Sequence, residues 1–380
     1  RHNNRNYYSR GIQSVLGVTH NTGRVRHAME FGVRYHEDEE DRLQAEDLYQ
    51  MVDGRLVLGQ IGAPGSQSNR VSDAQALAFF AQDRITFGDW TLTPGVRFET
   101  IDFTRRDFAG DDPTRSAGPT RVRENGVDVW IPGIGVDYQI NTSDRVFAGI
   151  HRGFAPPGAG AAPETNPEKS TNYELGWRRN RGPLSFEVIG FFNDYENLLG
   201  TETVAGGGGT AGDQFNGGAV DVQGLEISAG YELGGARHWP VSVPLRLAYT
   251  YTQSEFKTSF ESDFADWEPQ VEAGDELPYL PENQLNASVG VVASRWGLHL
   301  NANYQAAMRT TPGQGAVPSD EGTDSRVLFD LSADYTLLSR YRIFASLRNL
   351  TDETYIASRR PYGLRPGLPR TLLVGFSATF

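Results

Sequence analysis

Apolar and polar residues alternate along most of this chain. In "RHAMEFGVRYH", His27, Met29, Phe31, Val33 and Tyr35 share one face, and Ala28, Glu30, Gly32, Arg34 and His36 share the other. In "WGLHLNANYQ", Trp296, Leu298, Leu300, Ala302 and Tyr304 oppose Gly297, His299, Asn301, Asn303 and Gln305. The same period of two organises "WTLTPGVRFE", "VSVPLRLAYTYT" and the carboxy-terminal "TLLVGFSATF". Such alternation is the mark of strands with one apolar and one polar side. About fifteen segments follow it, the first and sixth poorly, near 7–19, 26–36, 71–86, 90–103, 127–140, 145–154, 169–178, 184–196, 219–233, 241–256, 284–294, 296–306, 326–337, 341–350 and 369–380.

The connections alternate too. "NTGR", "FGD", "NTSD", "RNRGP", "GGARHWP", "SRW" and "LSR" carry turn residues and are short. Between them fall long polar stretches near 37–70, 104–124, 155–168, 197–217, 257–282, 307–325 and 353–368. A soluble sandwich has shorter strands and no reason to gather its long loops at one end. Strands of roughly ten residues, with short turns at one end and long loops at the other, predict an all-β, antiparallel transmembrane β-barrel of the outer membrane. Trp90, Tyr138, Trp177, Trp296 and Tyr335 lie beside short turns, while Trp130, Tyr249, Tyr251 and Tyr304 lie near long loops. These are expected to form two aromatic girdles, with Phe380 anchoring the periplasmic end.

Composition changes the picture only at the edges. Mean hydropathy is -0.47, which a barrel tolerates because half of each strand faces a polar lumen. Net charge is -13, which argues against a nucleic-acid partner. The chain has no cysteine, so thiol chemistry is excluded. The start, "RHNNRNYYSR", has neither a start Met nor an apolar stretch, and predicts no signal peptide within the chain. Fifteen is an odd number, and single-chain bacterial barrels have an even one. The expectation is therefore a carboxy-terminal portion of a larger barrel, spanning 1–380, with the first strands missing.

Several segments resemble TonB-dependent outer-membrane receptors. They are "LAFFAQDRITFGDWTLTPGVRFE" (78–99), "IPGIGVDY" (131–138), "HRGFAPP" (151–157), "NPEKSTNYELGWR" (166–178), "FFNDYENLL" (191–199), "VQGLEISAGYEL" (222–233), "LPYLPENQLNASVG" (277–290) and "LRNLTDETY" (347–355). "FNGGAVDVQGLE", "GDELPYLPE" and "SRRPYGLRPGLPR" look most like the ferric-citrate (dicitrate) branch. The resemblance implies about fifteen strands of a 22-stranded barrel, with the plug domain absent from this chain. It implies a receptor for an anionic ferric chelate, ferric citrate or another siderophore complex, coupled to TonB through an amino-terminal part that this chain lacks. It also implies transport and not enzymatic catalysis, with no resident cofactor. The alternatives are a passive porin-type channel and an adhesion barrel.

Candidate chemistry is sparse. No nucleophile–base pair or metal-spaced histidine pair is legible, and "GGGG" (206–209) lacks the residues of a phosphate loop. "YHEDEEDRLQAED" (35–47) has the clustered carboxylates of a calcium or iron site but the spacing of no EF-hand loop, and reads as a solvated acidic loop at a strand top. Arginines are more suggestive. The last long loop holds Arg359, Arg360, Arg365 and Arg370 with no acid between them. The second long loop adds Arg105, Arg106, Arg115, Arg121 and Arg123. Guanidinium forks suit carboxylates, so Arg359, Arg360, Arg365, Arg105, Arg106 and Arg123 are the expected ligand contacts. The competing expectation is that they bind lipopolysaccharide phosphates or neighbouring acidic loops, with membrane lipid as the other partner.

Overall fold

A computed structural model of the chain describes residues 2–161, 165–201, 214–262, 267, 270–338, 340–359 and 363–379. Fifteen strands form one antiparallel sheet, in chain order from edge to edge. They are β1 (Arg5–Thr22), β2 (Val25–Gln44), β3 (Ser68–Phe87), β4 (Trp90–Phe108), β5 (Pro119–Gln139), β6 (Asp144–Ala155), β7 (Glu168–Arg181) and β8 (Leu184–Glu196). They continue as β9 (Val220–Glu232), β10 (Pro244–Phe256), β11 (Asn283–Val292), β12 (Trp296–Gln305), β13 (Arg326–Leu337), β14 (Tyr341–Arg348) and β15 (Thr371–Ala378). Strands β1 and β15 are its two edges. Four small two-stranded ribbons decorate the long connections. One helical turn, Leu233–Ala236, sits in a short connection.

The alternation holds across the register. Leu247 pairs Ala287 and Ala229, Leu298 pairs Val291 and Ala333, and Val374 pairs Ala345, all on the outer face. Leu247, Leu298 and Val374 are exposed there, as side chains that meet lipid must be. The inner face carries polar partners, such as Asn286 with Asn303 and the ion pair Arg97–Glu99 at 2.7 Å. Near the short turns, Trp90 lies 4.5 Å from Tyr138 between ring centroids, and Trp296 faces Tyr335.

Phenylalanines that break the alternation have a specific use. Phe80, Phe147, Phe191 and Phe344 point inward, and each is the direct cross-strand partner of a glycine: Gly32, Gly176, Gly224 and Gly375. Each ring occupies the space where that glycine's Cβ would be, at 2.0–2.6 Å. The pair covers backbone that glycine leaves bare.

The first hairpins differ from expectation. Strands β2, β3, β4 and β5 run 19–21 residues, about twice a membrane crossing. Residues 37–44, 104–108 and 119–124, expected as loop, are strand. A β-ladder is held by backbone hydrogen bonds and does not need an apolar side, so the sheet continues above the bilayer after the hydropathy signal fades. The acidic stretch is thus mainly the upper part of β2, and most of its acids pair. Glu37 meets Arg10 at 2.5 Å and Glu40 meets Arg42 at 2.7 Å. Asp41 takes a two-pronged contact from Arg115, one prong at 3.0 Å. Among the described residues no acidic or histidine group is arranged to hold a metal. The "GGGG" tip and Phe380, the expected periplasmic anchor, lie outside the described residues.

Candidate extracellular binding mouth

The long connections pack onto the inner wall at the mouth. Ala159 rests on Ala76, Ile101, Phe103 and Val127, all on inward-facing positions of β3, β4 and β5. Val271, Leu277 and Phe260 close over Val220 and Phe256, the inward upper ends of β9 and β10. Burying such apolar groups contributes about 25 cal/mol per Å² removed from water, which holds these loops in place across the opening.

The expected arginines separate by face. Arg105 and Arg123 are cross-strand partners on the inner wall. Arg105 is buried and pairs with Asp107 at 2.8 Å, while Arg123 donates to the carbonyl of Gly160. Together they support the connection that carries Ala159. Arg106 lies on the outer face, paired with Asp73, so it does not line the lumen. Arg359 is committed to backbone carbonyls of the preceding long connection, at Ser319 and Gly322. Arg365 is exposed on a short ribbon opposite Ser358. Arg360 lies outside the described residues. Arg370 finds an acid from the start of its own loop, Asp352 at 3.3 Å, despite having none nearby in sequence.

Sequence reasoning missed the row in which these residues sit. Arg5, Arg42, Arg70, Asp107 and Arg121 are successive cross-strand partners over five strands. The next row inward runs Tyr7, Glu40, Ser72, Arg105 and Arg123. Burial, followed by the charges of Arg105 and Arg42, pushes the Arg70 guanidinium down to about 10. The outer face one residue away has the opposite character. Burial and the adjacent Asp73 carboxylate raise the Glu39 carboxyl above its ordinary range. The only signal available in sequence was the parity of Arg42 and Arg70 within their strands.

Asn349 organises the last connection. It has φ of 50°, and its side chain bridges the carbonyls of Glu353 and Leu368, at 2.9 and 3.0 Å, while accepting from the Glu353 N–H. That joins the two ends of the loop beneath Arg359 and Arg365.

The family model for the TonB dependent receptor-like β-barrel matches residues 1–350, and the chain belongs to that family. Such barrels reside in the outer membrane of Gram-negative bacteria. The chain is 25% identical over 382 residues to the metal-pseudopaline receptor CntO of Pseudomonas aeruginosa, covering 96% of this chain and 50% of that protein. It is 23% identical over 256 residues to the pesticin receptor of Yersinia enterocolitica, covering 64% of this chain and 33% of that protein. The chain spans about half the length of the curated relatives it first matches. In structure it resembles the unliganded ferric citrate transporter FecA, with TM-score 0.74, 21% identity, and coverage of 99% of this chain and 55% of that one. It resembles equally the ferric-catecholate import receptor Fiu of E. coli K12, with TM-score 0.74, 18% identity, and coverage of 100% and 55%. At these identities the structural likeness concerns the fold.

Proposed function

We propose that this TonB-dependent receptor barrel chain is the carboxy-terminal part of a receptor for an anionic metal chelate. Ferric citrate or a carboxylate-bearing siderophore complex is the expected ligand, with uptake energised through TonB. The observation that carries this reading is a mouth packed with inward-turned connections over a wall containing Arg105 and Arg123. Packing of this kind suits capture and is a poor fit to free diffusion, which favours a receptor over a passive porin. Positive charge on the inner wall of a protein of net charge -13 concentrates anions locally. Of the six arginines expected to touch ligand, Arg365 is exposed and remains best situated to do so, while Arg105 and Arg123 contribute positive charge from beneath the packed connection.

The test uses the full-length receptor in cells, with and without a working TonB system. Saturable, TonB-dependent accumulation of radiolabelled ferric citrate is expected. Conductance that rises linearly with solute and never saturates supports the porin reading instead.

A further inference from the structure

The inner wall at the mouth holds more positive than negative charge, in a defined geometry. In the two rows that include Arg70 and Arg105, six arginines face two carboxylates, Glu40 and Asp107. Both carboxylates are already engaged. Glu40 lies 2.7 Å from Arg42, and Asp107 lies 2.8 Å from Arg105. Arg70, between Arg42 and Asp107 in the row, makes no hydrogen bond or ion pair among the described residues. Its Nε is buried without an acceptor.

Arg70 has Arg42 and Arg105 as like-charged neighbours, and the two acids near it, Glu40 and Asp107, are shared with those arginines. A guanidinium withdrawn from water and left with only such a shared counter-charge destabilises its surroundings unless a further anion completes it. Adjacent strands are about 4.8 Å apart, so Arg42 and Arg70 stand at a pitch that one polycarboxylate can bridge, while Arg121 lies two strands from Arg70, across Asp107. Planar forks bind carboxylate or phosphate oxygens two at a time. The row stands on the upper parts of the long strands, on the luminal side; Arg42 and Arg70 are half-buried there, so a charge pair is stronger at them than at the exposed Arg121.

We infer that Arg42, Arg70 and Arg121 form an oxyanion-binding wall that takes the carboxylate or phosphate groups of the ligand. This rests on the reading of the ligand as anionic, and it moves the contact from the loop tips to the strand wall. Arg70 completes its hydrogen bonding only when the anion is present.

The experiment titrates full-length receptor in detergent with metal-free citrate and, in a separate arm, with inorganic phosphate. It compares wild type with Arg70→Ala, Arg70→Lys and Arg42→Ala, and records thermal unfolding of each with and without the anion. Arg70→Ala is expected to weaken citrate binding roughly tenfold or more, and Arg70→Lys to lose less. Without anion, Arg70→Ala is expected to melt no lower than wild type, and citrate should raise the melting temperature of wild type more than that of the variant. Equal affinity in wild type and all variants overturns the site. So does a lower melting temperature of anion-free Arg70→Ala, because Arg70 then already has a counter-charge in the intact receptor. Wild-type chelate uptake by Arg70→Ala cells also overturns the site but leaves the receptor reading standing. Arg70-dependent binding of citrate or phosphate without any chelate uptake supports the site and overturns the receptor reading.

Discussion

Arg359 ties its loop to the one before it, with Nε donating to the carbonyl of Gly322 at 2.6 Å and Nη2 to that of Ser319 at 3.2 Å. An arginine that looks free in the sequence is a fastener between two connections. Arg359→Ala should therefore loosen residues 319–322 by about 1.5–3 kcal/mol of local opening free energy, since hydrogen bonds from a charged group are of that size. Amide hydrogen exchange there should speed up roughly 10- to 100-fold. The melting temperature of the barrel should hardly move. Unchanged exchange at 319–322 would show that other contacts hold the loop.

The pairing of Phe147 with Gly176 makes a second prediction. A Cβ built on Gly176 lies 2.3 Å from the phenyl ring, and the two residues are direct partners on the inner face. Gly176→Ala should overpack the site and cost about 1–3 kcal/mol. The double change Gly176→Ala with Phe147→Ala should cost less than the sum of the single changes. Refolding titrations of all three variants measure the coupling, and strict additivity would refute the cover.

The two faces of a strand should respond differently to charge. Leu298 is exposed on the outer face, while Asn301 lies on the inner face against Ser288 and Asp330. Leu298→Arg should destabilise the folded barrel in lipid by about 2–4 kcal/mol, and Asn301→Arg far less. Equal costs in a denaturant titration from lipid vesicles would reverse the assignment of faces.

A carboxylate in a short connection should make stability depend on pH. Glu232 accepts from the Ser242 hydroxyl at 2.7 Å and from the N–H groups of Val243, Gly235 and Gly234. These bonds, led by that to Ser242, hold its carboxyl below the ordinary carboxylate range. A depressed folded value means the unfolded chain binds the proton more readily. The stabilisation is therefore present at neutral pH and is lost as pH falls below the unfolded value, near 4.5, through the folded one. Glu232→Gln should lower the melting temperature at pH 7, and the gap from wild type should close in acid. A gap that stays constant with pH would mean that the charge is not what the turn uses.

The membrane-facing side of this protein could be read from sequence because its cause is local. Lipid requires apolar side chains on one face, and a strand returns to that face every second residue, so Leu247, Leu298 and Val374 declare themselves within their own segments. Turn chemistry at "NTGR" or "RNRGP" is local in the same way, and it yielded the alternation of short and long connections. What the sequence could not contain was register. Arg5, Arg42, Arg70 and Arg121 come from four strands, and only the pairing of those strands sets them in one row. Parity alone puts Arg105 and Arg106 on opposite faces, but which face is lumen depends on the apolar stretch below, and the strand's continuation upward was invisible because a backbone ladder needs no hydrophobic pattern. The "FF" doublets at 79–80 and 191–192 read as uniformly apolar. Only the structure divides each doublet between lipid and a glycine, since the glycine that Phe80 or Phe191 covers lies on a neighbouring strand. Arg359 and Gly322 likewise meet only because two long connections, separated in the chain by two strands, fold toward the same opening.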